Sequence, residues 1–149
     1  TPQLYYGTEV LMNGTKSVTD GNVRKDFPGG WADDKQNAFT AEGRTKAQND
    51  MFRWTSRLLH WRQGNEVITK GTQTQFCTHK GIYVVARQYK GKSVMTVING
   101  KNNAAELDVK RYAEIIGDAQ KAVDVTTGRN VVISHNVKMR PRQTMVLEF

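Results

Sequence analysis

The sequence predicts a mainly β chain: an antiparallel β-sandwich preceded by one strand, a long loop and a single α-helix. Three observations predict it. Apolar residues recur at helical spacing only between Lys46 and Arg62. From Asn65 onward they alternate with polar residues in short runs separated by turn signals. The change of period falls near Gly64 and places a domain boundary there, dividing the chain into residues 1–63 and 64–149.

Residues 3–12 (QLYYGTEVLM) are nearly continuously apolar and aromatic between Pro2 and Asn13-Gly14, the pattern of a strand buried on both faces, as in parallel sheets. Gly7 would let the backbone turn or approach a neighbour closely, leaving Glu9 just beyond it. Residues 13–44 have no period and accumulate Gly, Asp, Asn and Pro. Loops of this length are uncommon unless they carry a function. Asp20, Arg24, Asp26, Phe27 and Trp31 supply carboxylates and a guanidinium for hydroxyl groups, with aromatic rings for the apolar faces of sugars. A competing reading makes Asp20-Gly21 and Asp33-Asp34 turn and cap residues and makes Phe27 and Trp31 anchors of the loop. On composition alone the second reading has the edge.

In the segment Lys46 to Arg62, Ala47, Met51, Trp54, Leu58 and Trp61 repeat at spacings of four and three, with Phe52 and Leu59 widening the stripe. Core packing is the expected use of that stripe. Thr45 is the expected N-cap, Asp50 lies too far along to complete a capping box, and Gly64 is the expected stop. Strands are predicted over 66–70, 72–77, 81–89, 93–99, 105–109, 122–126, 131–133 and 144–149, with 110–116 ambiguous between strand and helix. Several short strands at regular spacing make a sandwich.

The formal charge of +8 is dispersed, with no basic run longer than a pair, so a generally basic surface is preferred to nucleic-acid binding. The single cysteine, Cys77, excludes an internal disulfide and reads as a buried or half-buried hydrophobe. His60, His79 and His135 lack metal-ligand spacing, and neither metal nor cofactor is expected. Asn13-Gly14-Thr15 fits a glycosylation sequon, which is weak evidence. No run reaches the roughly 20 apolar residues of a membrane helix. The chain starts without Met inside a predicted strand and is expected to be a fragment, so a missing signal peptide says nothing about its parent's compartment.

These residues resemble a known family. Pro2-Gln3-Leu4-Tyr5-Tyr6-Gly7-Thr8-Glu9 is similar to the eighth-strand motif of the alpha-amylase family of glycoside hydrolases. Asp20-Gly21-Asn22-Val23-Arg24 and Asp26-Phe27-Pro28-Gly29-Gly30-Trp31 resemble the loop of its neopullulanase and cyclomaltodextrinase branch, which includes bacterial starch-utilisation enzymes. The Arg44-Thr45 pair, the helix and the β-rich tail continue the likeness over essentially the whole chain.

The resemblance implies that residues 1–63 are the end of a (β/α)8 barrel: strand eight, a substrate-side loop and helix eight. Residues 64–149 would then be the Greek-key sandwich called domain C. It implies a retaining glycosidase parent acting on α-glucans such as starch, pullulan and cyclodextrins, bacterial, and periplasmic or extracellular. The nucleophilic Asp, the acid/base Glu and the supporting Asp of that mechanism would all precede Thr1, so no catalytic residue is assigned here. Asp20 and Arg24 are the implied substrate-binding pair, and Tyr6, Glu9 and Trp31 are weaker candidates. Gly21 stands where many relatives have Pro, which leaves the aim of Asp20 open. An unpaired strand at 3–12 would favour self-association. The alternative is a non-catalytic glycan-binding sandwich using Tyr83, Tyr89 and Tyr112.

Overall fold

A computed structural model describes residues 3–149. The chain divides into two compact units, Thr1–Leu59 and His60–Phe149.

In the first unit, residues 3–12 do not form the expected strand. The backbone closes on itself instead: Thr8 N–H donates to the Tyr5 carbonyl (3.2 Å), and Val10 and Met12 donate to the Gly7 carbonyl (3.1 and 2.9 Å). A one-turn 3-10 helix, Thr8–Val10, results, flanked by Gly7 at φ 82° and Leu11 at φ 57°. The physical reason is that a strand must share its backbone groups with neighbours, and no strand among the described residues pairs with this segment. Val10 is buried, while Leu4, Tyr5, Tyr6 and Leu11 are exposed.

Helix α1, Lys46–Gly64, ends at the expected glycine. Its start is better capped than the sequence suggested. Gln48 N–H donates to Thr45 Oγ1 (3.3 Å), and Thr45 N–H donates to Gln48 Oε1 (2.8 Å). That is a reciprocal capping box completed by Gln48, three residues after the cap, where Asp50 lies too far along. The apolar stripe is not the core element expected of it: Trp54, Phe52 and Leu59 are exposed, and Thr55 is the helix's buried residue.

The second unit is a β-sandwich. Its strands are β1 (Thr72–His79), β2 (Ile82–Tyr89), β3 (Lys92–Asn99), β4 (Ala105–Leu107), β5 (Lys121–Asp124), β6 (Arg129–Val132), β7 (Val137–Met139) and β8 (Thr144–Glu148). Six of them form one sheet in the order β1-β2-β3-β8-β5-β6, and β4 pairs with β7 in a second; every pairing is antiparallel. Inserting β8 between β3 and β5 gives the sheet its Greek-key connectivity.

Alternation places Ile82, Val84 and Ala86 of β2 in the core beside Met95 and Val97 of β3 and Met145 and Leu147 of β8. Leu107 and Met139 face them from the small sheet, with Tyr112, Ile115 and Ile116 filling the space between strands. Each buried Val, Leu, Ile or Met side chain among them contributes roughly 1.5–3 kcal/mol. Phe76 meets Tyr112 edge-on, with ring centroids 4.9 Å apart.

The other face of β2 is covered by α2, Glu66–Lys70, where a strand was expected. Asn65 Oδ1 accepts from Val67 N–H (2.9 Å) and caps the helix. Arg87 Nη1 donates to the Ile68 and Gly71 carbonyls (2.8 and 3.3 Å) and holds its end. Val67 and Ile68 are both buried by this packing. The ambiguous segment is helical, a 3-10 turn Val109–Tyr112 running into α3, Ala113–Ile116. Strand β7 was not predicted, and Cys77 is exposed on the edge strand β1 rather than buried. The β2–β3 hairpin turns through Lys90 and Gly91, both at positive φ, the primed turn that fits strand twist.

Candidate functional site

The loop carrying Asp20, Arg24, Asp26 and Trp31 is shaped by its own polar side chains. Asn22 Oδ1 accepts from Thr15 N–H (2.7 Å), Lys25 Nζ donates to the Asn13 carbonyl (3.4 Å), and Tyr6 Oη donates to the Lys25 carbonyl (2.9 Å). These bonds border a small hollow of about 140 Å³ between Tyr5, Tyr6, Asn13, Asn22 and Lys25. Gly14 is required there, because a Cβ on it would overlap the Asn22 carbonyl.

Tyr6 is thereby fixed as a hydrogen-bond donor. Desolvation, followed by its contact with Tyr5 and the negative charge of Asp26, holds its phenol above the ordinary value of 10.0. A phenol so placed stays protonated at neutral pH.

Asp20 and Arg24 flank the one-turn 3-10 helix Gly21–Val23. Asp20 stands at its N-cap position without a capping bond, and its carboxylate lies 3.9 Å from Lys16 Nζ. Both side chains of that pair are open to solvent, where ion pairs contribute little. Arg24 is exposed as well, and Glu9 is half-buried in the Thr8–Val10 turn.

Asp26 and Trp31 are brought together: Trp31 Nε1 donates to Asp26 Oδ2 (3.0 Å). Asp34 Oδ2 accepts from the backbone N–H groups of Gly29 (2.7 Å) and Trp31 (3.1 Å), so it is a turn residue. Phe27, half-buried, packs on Phe39 within the loop, with ring centroids 4.6 Å apart. Trp31 is 64% exposed and so does not anchor the loop, while its backbone and indole nitrogens are held. An oriented, open indole is a platform for an apolar sugar face.

The loop's far end is clamped by Arg44, which the sequence marked only as part of a motif, and by Asn49, which it did not single out. Arg44 Nη1 donates to the Ala38 carbonyl (3.0 Å) and its guanidinium stacks 4.0 Å over the Phe52 ring. Asn49 donates to the Ala41 carbonyl (2.8 Å) and accepts from Arg44 Nε (2.9 Å). The arrangement supplies recognition chemistry: exposed carboxylate, guanidinium and phenol for hydroxyl groups, and an indole face. Among the described residues no group of three or more His, Cys, Asp or Glu side chains could hold a metal ion, and no helix is long and apolar enough to cross a membrane.

Solved structures that share this fold class include an alpha-amylase and a trehalulose synthase. An Anoxybacillus alpha-amylase superposes on 97% of this chain with a TM-score of 0.65 at 14% identity, using 28% of its own length. AmyP, solved in complex with maltose, covers 70% of this chain and 21% of its own (TM-score 0.57, 17% identity). The trehalulose synthase MutB from Pseudomonas mesoacidophila covers 75% and 19% (TM-score 0.53, 14% identity).

Within that class the chain belongs to the cyclo-malto-dextrinase C-terminal domain family, whose profile matches residues 73–148. A cyclomaltodextrinase from Thermoanaerobacter pseudethanolicus (strain ATCC 33223 / 39E) is 30% identical over 119 residues, 78% of this chain. The chain spans 17% of the length of that curated relative.

Proposed function

We propose that this chain is the C-terminal part of a retaining glycosidase of the neopullulanase and cyclomaltodextrinase type, acting on α-glucans. The observation that carries the proposal is the likeness to cyclomaltodextrinase over 119 residues, an alignment long enough to extend well before the sandwich family match at residue 73. Complexes of AmyP with maltose and maltotriose support an α-glucan oligosaccharide as the ligand of the whole enzyme.

In this proposal residues 1–63 close a catalytic (β/α)8 barrel and residues 64–149 are its domain C. Barrel active sites gather at the C-terminal ends of the strands, where a loop following strand eight would lie. The two carboxylates of the retaining mechanism, one attacking the anomeric carbon and one protonating the leaving oxygen, belong to the region before Thr1, so this chain alone is inactive. Asp20 and Arg24 bind sugar hydroxyls from the substrate-side loop, with Trp31, Tyr6 and Glu9 at its border. The exposure of Asp20, Arg24 and Trp31 supports that role.

In the whole enzyme, Asp20→Ala and Arg24→Ala should each raise KM for maltooligosaccharides about tenfold, equivalent to about 1.4 kcal/mol of binding, with kcat changed less. Unchanged KM in both would remove the pair from the substrate site. The runner-up, a glycan-binding sandwich without an enzyme attached, rests on Tyr83, Tyr89 and Tyr112. Tyr112 is buried at 1% exposure, which weakens it. Affinity electrophoresis of this chain in amylose gels tests it, and unretarded migration counts against it.

A further inference from the structure

A second concave surface lies within the sandwich unit. It is a cleft of about 590 Å³ lined by Trp61, Asn65, Glu66, Tyr89, Lys92 and Glu148. Its floor is rigid. Glu148 ends β8, paired with Val94 of β3 on one side and Val123 of β5 on the other. Its carboxylate is gripped from above: Asn65 Nδ2 donates to Oε1 (2.8 Å) and Trp61 Nε1 lies 3.4 Å from Oε2. Asn65 is itself fixed, since its Oδ1 caps α2 at Val67. A carboxylate has about four acceptor sites, so two donors orient it and leave acceptor capacity for a ligand.

The walls add ring faces and balanced charge. Trp61 and Tyr89 are both half-buried, and Lys90 Nζ sits 5.2 Å from the Tyr89 ring centroid. Lys90 and Lys92 are matched by Glu66 and Glu148, and Glu66 is bonded to Lys70. With both signs present on its walls, the cleft carries no strong field that would select a phosphate or a polycation. Aromatic faces beside fixed polar acceptors suit a neutral polyhydroxylated molecule, and the volume lies in the roughly 300–1,000 Å³ range of small-molecule sites. The same hairpin, Tyr89 to Lys92, also borders a neighbouring hollow of about 560 Å³, giving a longer chain a continuing surface.

We propose that this cleft is a second, non-catalytic binding site for a short α-glucan, with Trp61 and Tyr89 as stacking faces and Glu148 and Asn65 as the hydroxyl partners. That the glucan is α-linked rests on the function proposed for the whole enzyme; the cleft's chemistry alone specifies a neutral saccharide.

The test is heteronuclear NMR on this chain, following the indole N–H groups of Trp61 and Trp31 and the Asn65 side-chain amide during titration with maltotetraose and, separately, cellotetraose. Saturable shifts at Trp61 and Asn65 with maltotetraose are expected. Tyr89→Ala should weaken them about tenfold, and Trp61→Phe, which keeps a ring, should preserve more affinity than Trp61→Ala; backbone spectra show that each variant folds. No shift at Trp61 and Asn65 in the parent chain, or an affinity in both Tyr89→Ala and Trp61→Ala that equals the parent's, overturns the proposal. Shifts confined to Trp31 also overturn it while leaving the loop assignment standing. Cellotetraose binding as well as maltotetraose overturns the α-glucan assignment. Saturation by maltotetraose in the cleft, found together with a whole enzyme inert on α-glucans, would support the cleft and remove the proposed activity.

Discussion

Asp124 shows how a single buried carboxylate can set a sheet connection. It is 3% exposed, and its Oδ1 accepts from the backbone N–H groups of Thr126 (3.0 Å) and Val146 (3.2 Å). Its Oδ2 is met by the hydroxyls of Thr126 (3.0 Å) and Thr127 (3.1 Å), so one side chain ties the turn after β5 to β8. Asp124→Ala should cost about 3 kcal/mol, because buried donors lose charged partners, and urea unfolding of the variant checks it. Tyr112 makes a pH-dependent contribution. Burial is the main cause that raises its phenol above 10.0. Stability from this group is complete below the unfolded value near pH 10 and is lost as pH rises through the raised folded value. Stability measured across that alkaline range should fall less steeply in Tyr112→Phe than in the parent chain. Neither role was legible beforehand: Asp in a Thr-Thr-Gly turn reads as a surface residue, and a Tyr inside an ambiguous segment has no assigned face. Cys77 erred the other way, since an edge strand exposes a residue whose type is usually buried.

Elements were legible in proportion to their length and regularity. The helix over 46–64 and the hairpin β2–β3 came from sustained periods and from Lys90-Gly91. Segment 66–70 failed because five residues, Glu-Val-Ile-Thr-Lys, fit two templates; capping by Asn65 and the clasp of Arg87 decide for helix. Strand β7 is too short, at three residues, to display a period. The capping box is readable as Thr-x-x-Gln: Asp50 lies too far along, and Gln48 completes it. Gln48→Ala should lower stability by about 0.5–1 kcal/mol and fray the first turn of α1, seen as faster amide exchange there. A loss confined to other parts of the chain would show that the box does not stabilise α1.

At the scale of the whole molecule, the sandwich contains its own core while the first unit exposes apolar side chains along two segments. Leu4, Tyr5, Tyr6 and Leu11 precede the loop, and Phe52, Trp54 and Leu59 lie on α1. The strand pattern over 3–12 was a property of the residues, but a strand exists only where another supplies its hydrogen bonds. The candidate site was legible as residue types in the loop; its clamps, Asn22 and Asn49, were not, because their role depends on carbonyls distant in sequence. In isolation the exposed segment 3–12 should drive concentration-dependent self-association, and sedimentation velocity of Leu4→Ser, Leu11→Ser beside the parent chain checks it. The most direct measurement is release of reducing ends from cyclodextrin by two proteins: this chain alone, and this chain joined to the region encoded upstream of Thr1. The account predicts turnover by the joined protein and none by the chain alone; sustained turnover by the chain alone, or an inert joined protein that is folded, would contradict it.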